Sequence, residues 1–311
     1  MPSDLSLGNE ADLIQVRDRA GMGLPFSKGI MATSILATGL QTDHAHRIAA
    51  EIERTLRRRG VREVEADDLT AIAADLIREA KGEEFSERYR AWRRAKRAGQ
   101  PFVVCLGGAP GVGKSTLATR LALRLGVNRV ITTDAIREVL RTVIPPTVLP
   151  ELHVSTYETA EGQGGSDSVL QSFVRQARAV SAATAAVARR LAAEGRSAII
   201  EGVHVLPGEI RKYLADGSTE IVVVELLLTL ADEGLHRGHL TRRLHGEPAR
   251  DGSRHLSRFP VIRQLQDELR SLAARFVVAE FDIAHPEDLT QRIVDQLVER
   301  IEAQTGVDRS R

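Results

Sequence analysis

The chain has 311 residues, is 42% hydrophobic, carries one cysteine and has a formal net charge of +1. That length and apolar content supply a real core and room for two domains of ordinary size. The balanced charge gives no global field for nucleic acid or an anionic membrane, and a single cysteine, Cys105, excludes an internal disulfide and a cysteine-built structural zinc site.

In chain order, the opening MPSDLSLGNEADL has neither a basic start nor an apolar core, so no signal peptide is expected. Up to about residue 80 the pattern is one of short helices. SKGIMATSILATGL has apolar residues at helical spacing and ends on Gly39; TDHAHRIAAEIERTLRRRG ends at Gly60; ADDLTAIAADLIREA is a third amphipathic segment. KGEEFSERYRAWRRAKRAGQ follows, a charge run in which Glu83, Glu84 and Glu87 interleave with arginines, and it reads as a solvated linker helix. From Pro101 the pattern changes to short β-branched runs, FVVCL, RVITTD, SAIIEG, EIVVVELLLTL and FVVAEFD, separated by helical stretches. Such alternation predicts a parallel sheet covered on both faces. The greasiest run, IVVVELLLTL, contains Glu225 and falls well short of the ~20 residues of a membrane span, so it too reads as a buried strand. A soluble cytoplasmic protein with no membrane or nucleic-acid partner is the expectation, with homo-oligomerisation left open.

GGAPGVGKST (107–116) satisfies G-x-x-x-x-G-K-[ST] in full, with an apolar strand running in and an amphipathic helix running out. The backbone of Gly108, Ala109, Pro110, Gly111, Val112 and Gly113 can wrap a phosphate with inward N–H groups, and the helix end at Lys114, Ser115 and Thr116 adds its positive dipole. Lys114 should reach the β/γ oxygens and Ser115 should ligate Mg²⁺. No guanine-reading Asn/Thr-Lys-x-Asp and no strand ending in Asp-Glu accompany the loop. The layout is that of a small-molecule kinase using ATP.

The strand tips beside this loop should supply the chemistry. ITTD ends its strand on Asp134, which can take the acceptor's proton, hold Mg²⁺, or cap the next helix. Arg137 and Arg141 lie one turn apart on that helix, an anion clamp or an exposed face. Glu201 ends the next strand as a second candidate for metal or base, and His204 follows on its loop as a substrate contact or a structural histidine. The segment 235–259 carries Arg237, Arg242, Arg243, Arg250, Arg254 and Arg258 with His236, His239, His245 and His255, broken by Gly246, Pro248 and Gly252. It reads as a lid, with Arg242 catalytic and Arg254 and Arg258 binding substrate. Many arginines and a 4% aromatic share point to a small, anionic acceptor.

GGAPGVGKST, ITTDAIREVLR, ELHVSTYETA, IIEGVHVLPG and HRGHLTRR…SRHLSRFPVIRQLQ, in that order, resemble 2-phosphoglycerate kinase, from about residue 10 to about residue 300. The resemblance implies ATP- and Mg²⁺-dependent phosphorylation of 2-phosphoglycerate to 2,3-bisphosphoglycerate. VRDRAGMGLPFSKGIMATSILATGL also looks like an ATP-cone. Where better-known ATP-cones open Lys-Arg-Asp-Gly, this chain has Val16, Arg17, Asp18 and Arg19, with Lys28 retained. Its role stays open between nucleotide binding and a structural or dimerising one. The expected architecture is therefore α/β, a parallel-sheet P-loop NTPase domain of the nucleoside-kinase type at 98–311. A small, mainly helical ATP-cone-like domain precedes it at 10–97, its linker helix at 82–97. The alternatives are a kinase for a sugar or inositol phosphate and a non-catalytic ATP-sensing regulator.

Overall fold

The computed structural model describes residues 13–18, 21–155, 166–215, 221–246, 257–284 and 289–306. The chain divides into two compact units, one running to Ala98 and the other built from Gly99 onward apart from Arg124–Gly126.

In the first unit β1 (Gln15–Arg17) and β2 (Gly23–Pro25) pair antiparallel, and β3 (Glu63–Glu65) joins β1 in parallel. Four helices accompany this sheet: α1 (Lys28–Leu36), α2 (Thr42–Arg58), α3 (Ala66–Lys81) and α4 (Glu83–Arg97). The sequence suggests a mainly helical unit and marks no strand here, because a three-residue strand offers too little alternation to read: in β3 only Val64 is buried. Ser27 caps α1, its Oγ accepting from the Ile30 N–H at 3.3 Å. α2 buries Ala45, Ile48, Ala49, Ile52 and Leu56, the stripe of an amphipathic helix. α4 departs from the expected solvated linker. Tyr89 and Trp92, three residues apart, are 1% and 3% exposed, and Ser86 Oγ donates to the Ala74 carbonyl at 2.9 Å. Tyr89 joins Ile35, Ile52, Leu56 and Ile77 in the unit's core. Its narrow apolar stripe lies within a run of charges, so composition concealed it.

The second unit is an α/β layer structure around five parallel strands. These are β4 (Phe102–Gly108), β5 (Val130–Thr132), β6 (Ala198–Glu201), β7 (Val222–Thr229) and β8 (Ala279–Asp282), arranged β5-β6-β4-β7-β8. Helices α5 (Lys114–Leu125), α6 (Thr133–Val143), α7 (Ser166–Ala193), α8 (Glu209–Leu214), α9 (Glu233–Gly246), α10 (Phe259–Phe276) and α11 (Leu289–Thr305) complete it, with a 3₁₀ turn at Pro150–His153. Every residue of β4 is buried, as a strand covered on both faces requires. One core cluster packs Ala185 and Ala188 of α7 and Ile210 and Leu214 of α8 against β4 and β6. Another packs Phe173 and Ala177 of α7 and Leu265 and Leu269 of α10 against Leu227 of β7. Each fully buried Leu or Ile contributes about 1.5–3 kcal/mol.

The acid inside the greasy strand β7 has structural partners. Glu225 accepts from the N–H groups of Gly208 and Arg211 at 3.2 and 3.1 Å and pairs with the Arg211 guanidinium at 3.2 Å. Burial pushes its carboxyl pKa up, and Arg211 opposes the shift. Among the described residues no helix is long and apolar enough to cross a membrane.

The register places the chemistry. Leu106 of β4 lies opposite Glu201 of β6, and Glu201 lies opposite Thr132 of β5. The phosphate loop, Glu201 and the start of α6 therefore share one edge of the sheet, at the carboxyl ends of the strands.

Candidate active site

The phosphate loop joins β4 to α5. Lys114 is 9% exposed and its Nζ donates to the Ala109 carbonyl at 2.9 Å. Ser115 Oγ donates to Glu201 Oε1 at 2.9 Å, and Glu201 is 6% exposed. A cleft of about 570 Å³ opens over the loop, lined by Lys114, Ser115, Arg120, His239 and Arg242 and by the apolar Ile283 and Leu289. Ile283 and Leu289 flank the chain after β8, where sequence reading found no adenine-reading motif; isolated apolar residues carry no such signal.

Asp134 is not the end of a strand and does not cap α6. Thr132 is the cap, its Oγ1 accepting from the Ala135 N–H at 3.2 Å, and Asp134 sits in the first helical turn. The Asp134 side chain is 61% exposed, with Oδ1 3.6 Å from His204 Nδ1.

His204 itself has no exposed surface. Its Nε2 lies 2.9 Å from Gln176 Oε1 and its Nδ1 lies 3.1 Å from Thr133 Oγ1. Gln176 turns its amide nitrogen to the carbonyls of Glu151 and Val154, so its oxygen must accept from His204. His204 then carries its proton on Nε2 and accepts from the Thr133 hydroxyl. Burial pushes its pKa down to about 4, helped by Arg137 and Lys114 and opposed by Asp134. The ring is a neutral bracket within the wall, a placement that matches the structural one of the two roles the sequence leaves open for it. Gly202, with φ +153°, closes the same corner: a Cβ there would lie 1.8 Å from Thr133 Oγ1.

The bracket reaches an arginine. Arg137 Nη2 donates to the Val154 carbonyl at 2.5 Å, the same oxygen that Gln176 binds. Arg137 Nε is buried and has no hydrogen-bond partner among the described residues. Burial and the neighbouring Arg141 lower the Arg137 pKa. Arg141 pairs with Glu138 at 2.9 Å. Sequence reading missed Thr133, Gln176 and the Val154 carbonyl, which no motif announces.

Of the expected lid, α9 and the residues from 257 are described. Arg242 is exposed and lines the cleft. Arg258 heads α10 and is exposed. Arg237 stacks 4.3 Å from the centre of the Phe259 ring, a packing role. Arg254, like Arg250 and His255, lies outside the described residues.

A protein-family profile described as an AAA domain matches residues 103–258, and one described as an ATP cone domain matches residues 14–98. The 2-phosphoglycerate kinase of Pyrococcus horikoshii is 34% identical over 282 residues, 90% of this chain and 91% of that protein. That of Pyrococcus furiosus is 33% identical, covering 93% and 94%, and that of Methanopyrus kandleri 33%, covering 89% and 85%. Identity at that level, over about nine-tenths of each chain, means that this chain belongs to the 2-phosphoglycerate kinase family.

Proposed function

We propose that the chain transfers the γ-phosphoryl group of ATP to the free hydroxyl of 2-phosphoglycerate, giving 2,3-bisphosphoglycerate and ADP. The observation that carries this reading is the adjacency of two differently built walls. On one side the phosphate loop sets its lysine on a backbone carbonyl and its serine on a buried carboxylate, and on the other stands an exposed carboxylate with a tethered arginine. The relatives bearing this name span both units.

The roles follow from burial. Glu201, buried and bonded to Ser115, is suited to the metal side, and Asp134, exposed in the first turn of α6, is suited to be the base. Ser115 Oγ and Glu201 form an all-oxygen pair that fits Mg²⁺, which keeps most of its other positions for phosphate and water. Bound there, Mg²⁺ would neutralise charge on the β and γ oxygens. The acceptor oxygen forms its bond to the γ phosphorus as the bond to the ADP oxygen breaks, and its proton passes to Asp134. Lys114 and Arg242, which line the same cleft, hold the transferring group, Lys114 exchanging the Ala109 carbonyl for a phosphate oxygen. Arg137 meets the acceptor's anionic groups, and His204 with Gln176 keeps it aimed. Arg258 and Arg254 belong to the proposed lid.

The test is a panel of phosphate esters offered to the purified chain with ATP and Mg²⁺. A bisphosphorylated product from 2-phosphoglycerate is expected. Transfer to a sugar or inositol phosphate with none to 2-phosphoglycerate would replace the acceptor, and ATP binding without transfer to any ester would make the chain a sensor.

A further inference from the structure

Two histidines of α9 rest on the crown of the phosphate loop. His236 has no exposed surface, and its Nε2 lies 2.7 Å from the Pro110 carbonyl. His239 Nδ1 lies 3.1 Å from the Gly111 carbonyl. A carbonyl only accepts, so each of these nitrogens carries its proton. His236 Nδ1 is then an acceptor, 3.4 Å from Arg263 Nη1. Arg263 in turn donates to the carbonyls of Leu230 and Ala231 at 2.6 and 3.1 Å. The edge of Phe259 packs on the imidazole at 5.4 Å. The crown packs closely on α9: Gly111 has φ +84°, and a Cβ there would meet Leu240 Cδ2 at 2.7 Å and His236 Cδ2 at 3.2 Å.

A trans peptide points its C=O and its N–H in opposite directions. A Pro110 carbonyl held toward α9 turns the Gly111 N–H the other way, into the cradle. A Gly111 carbonyl held by His239 does the same for the Val112 N–H. The Ala109 carbonyl, in contrast, faces Lys114. The nest of donors that grips phosphate is thus oriented from behind.

We propose that His236, seconded by His239, is a positioning residue for the nucleotide, holding the loop's peptide units in the orientation that binds ATP. The neutral ring this needs agrees with the direction of its titration. Burial lowers the His236 pKa, with Arg263, His239 and Lys114 adding to the shift and the Pro110 carbonyl opposing it.

The proposal rests on the loop being the ATP site. The experiment measures the ATP dissociation constant by calorimetry, and kcat and both KM values, for full-length His236→Leu, His236→Gln, His239→Ala and Lys114→Ala. His236→Leu should weaken ATP binding about tenfold, with the acceptor KM held within about twofold. His236→Gln should return to within about threefold, since its amide can donate to Pro110 and accept from Arg263. His239→Ala should cost about threefold, and it carries the test should His236→Leu not fold. Unchanged ATP affinity in the variants that fold, a Gln variant as weak as the Leu variant, or equal losses for both substrates would overturn the proposal. A Lys114→Ala protein that still binds ATP normally would instead sink the reading of the loop.

Discussion

The first unit matches an ATP cone domain and the second an AAA domain, and the two hold their cations in contrasting ways. In the second unit Lys114 rests on a neutral backbone carbonyl of its own loop, beside a row of peptide N–H groups at the start of α5. In the first, Arg17 is paired with Glu63, and Lys28 with Glu53 at 3.0 Å. The Lys28 ammonium, ahead of Arg57, holds the Glu53 carboxyl below its usual range. α1 also opens on its own cap, Ser27, which takes the Ile30 N–H. Exposed ion pairs are worth only about 0–1 kcal/mol, so the pairs alone would not keep a triphosphate out. The larger difference lies in the backbone: one unit offers a phosphate loop whose lysine rests on a carbonyl, while in the other, among the described residues, Arg17 and Lys28 face carboxylates. Readiness for phosphate lies in the backbone around the cations more than in their number.

The strongest way to break this comparison is Lys114→Ala, which should lower kcat/KM about a thousandfold or more, with the circular dichroism spectrum retained. Substantial residual transfer would move the active nucleotide site elsewhere. Next come the two carboxylates. Asp134→Asn should lower kcat about a hundredfold without raising the Mg²⁺ requirement, whereas Glu201→Gln should raise the Mg²⁺ needed for half-maximal rate about tenfold. The reverse pattern would exchange their roles, and a chelator should abolish transfer in the parent.

A smaller effect concerns stability. With a folded pKa near 4 against an ordinary 6.5, His204 stays neutral in the fold while the unfolded chain takes up a proton. Its contribution is therefore complete above pH 6.5, shrinks as pH falls, and is gone below about 4. Urea denaturation between pH 7 and pH 4 should show a decline that His204→Gln flattens; an identical slope in the variant would refute the assignment. The smallest effect is expected in the first unit: Arg17→Ala and Lys28→Ala should change the ATP KM by less than about twofold. A tenfold rise would make the cone a working nucleotide site and dissolve the contrast.

What was legible in the sequence was local. The phosphate loop, the five strand runs and Glu201 at the end of β6 could be read because each depends on neighbours within a few positions. Asp134 is visible in the sequence but misplaced by it, since α6 starts two residues earlier than a carboxylate at the strand end or cap implies, and Thr132 takes the cap. The supports of the site were not legible. His204 meets Gln176 across 28 positions and His236 meets Pro110 across 126, contacts that exist only once α7 and α9 have packed. The histidine-rich patch was visible, yet its use as a brace for the phosphate loop depends on carbonyls, which every residue has and no motif marks.

The close fit of Gly202 against Thr133 has a consequence for how this scaffold can change over time. With no clearance at that corner, the start of α6 and the tip of β6 form one mechanical stop, and the spacing of Asp134 from Glu201 is locked as a gauge is locked. Arg141, one turn further along α6 and paired with the exposed Glu138, has no such close contact among the described residues. On the roles proposed for Asp134 and Glu201, acceptor preference can drift along the outer turns of α6 while the reach of the phosphoryl group stays constant.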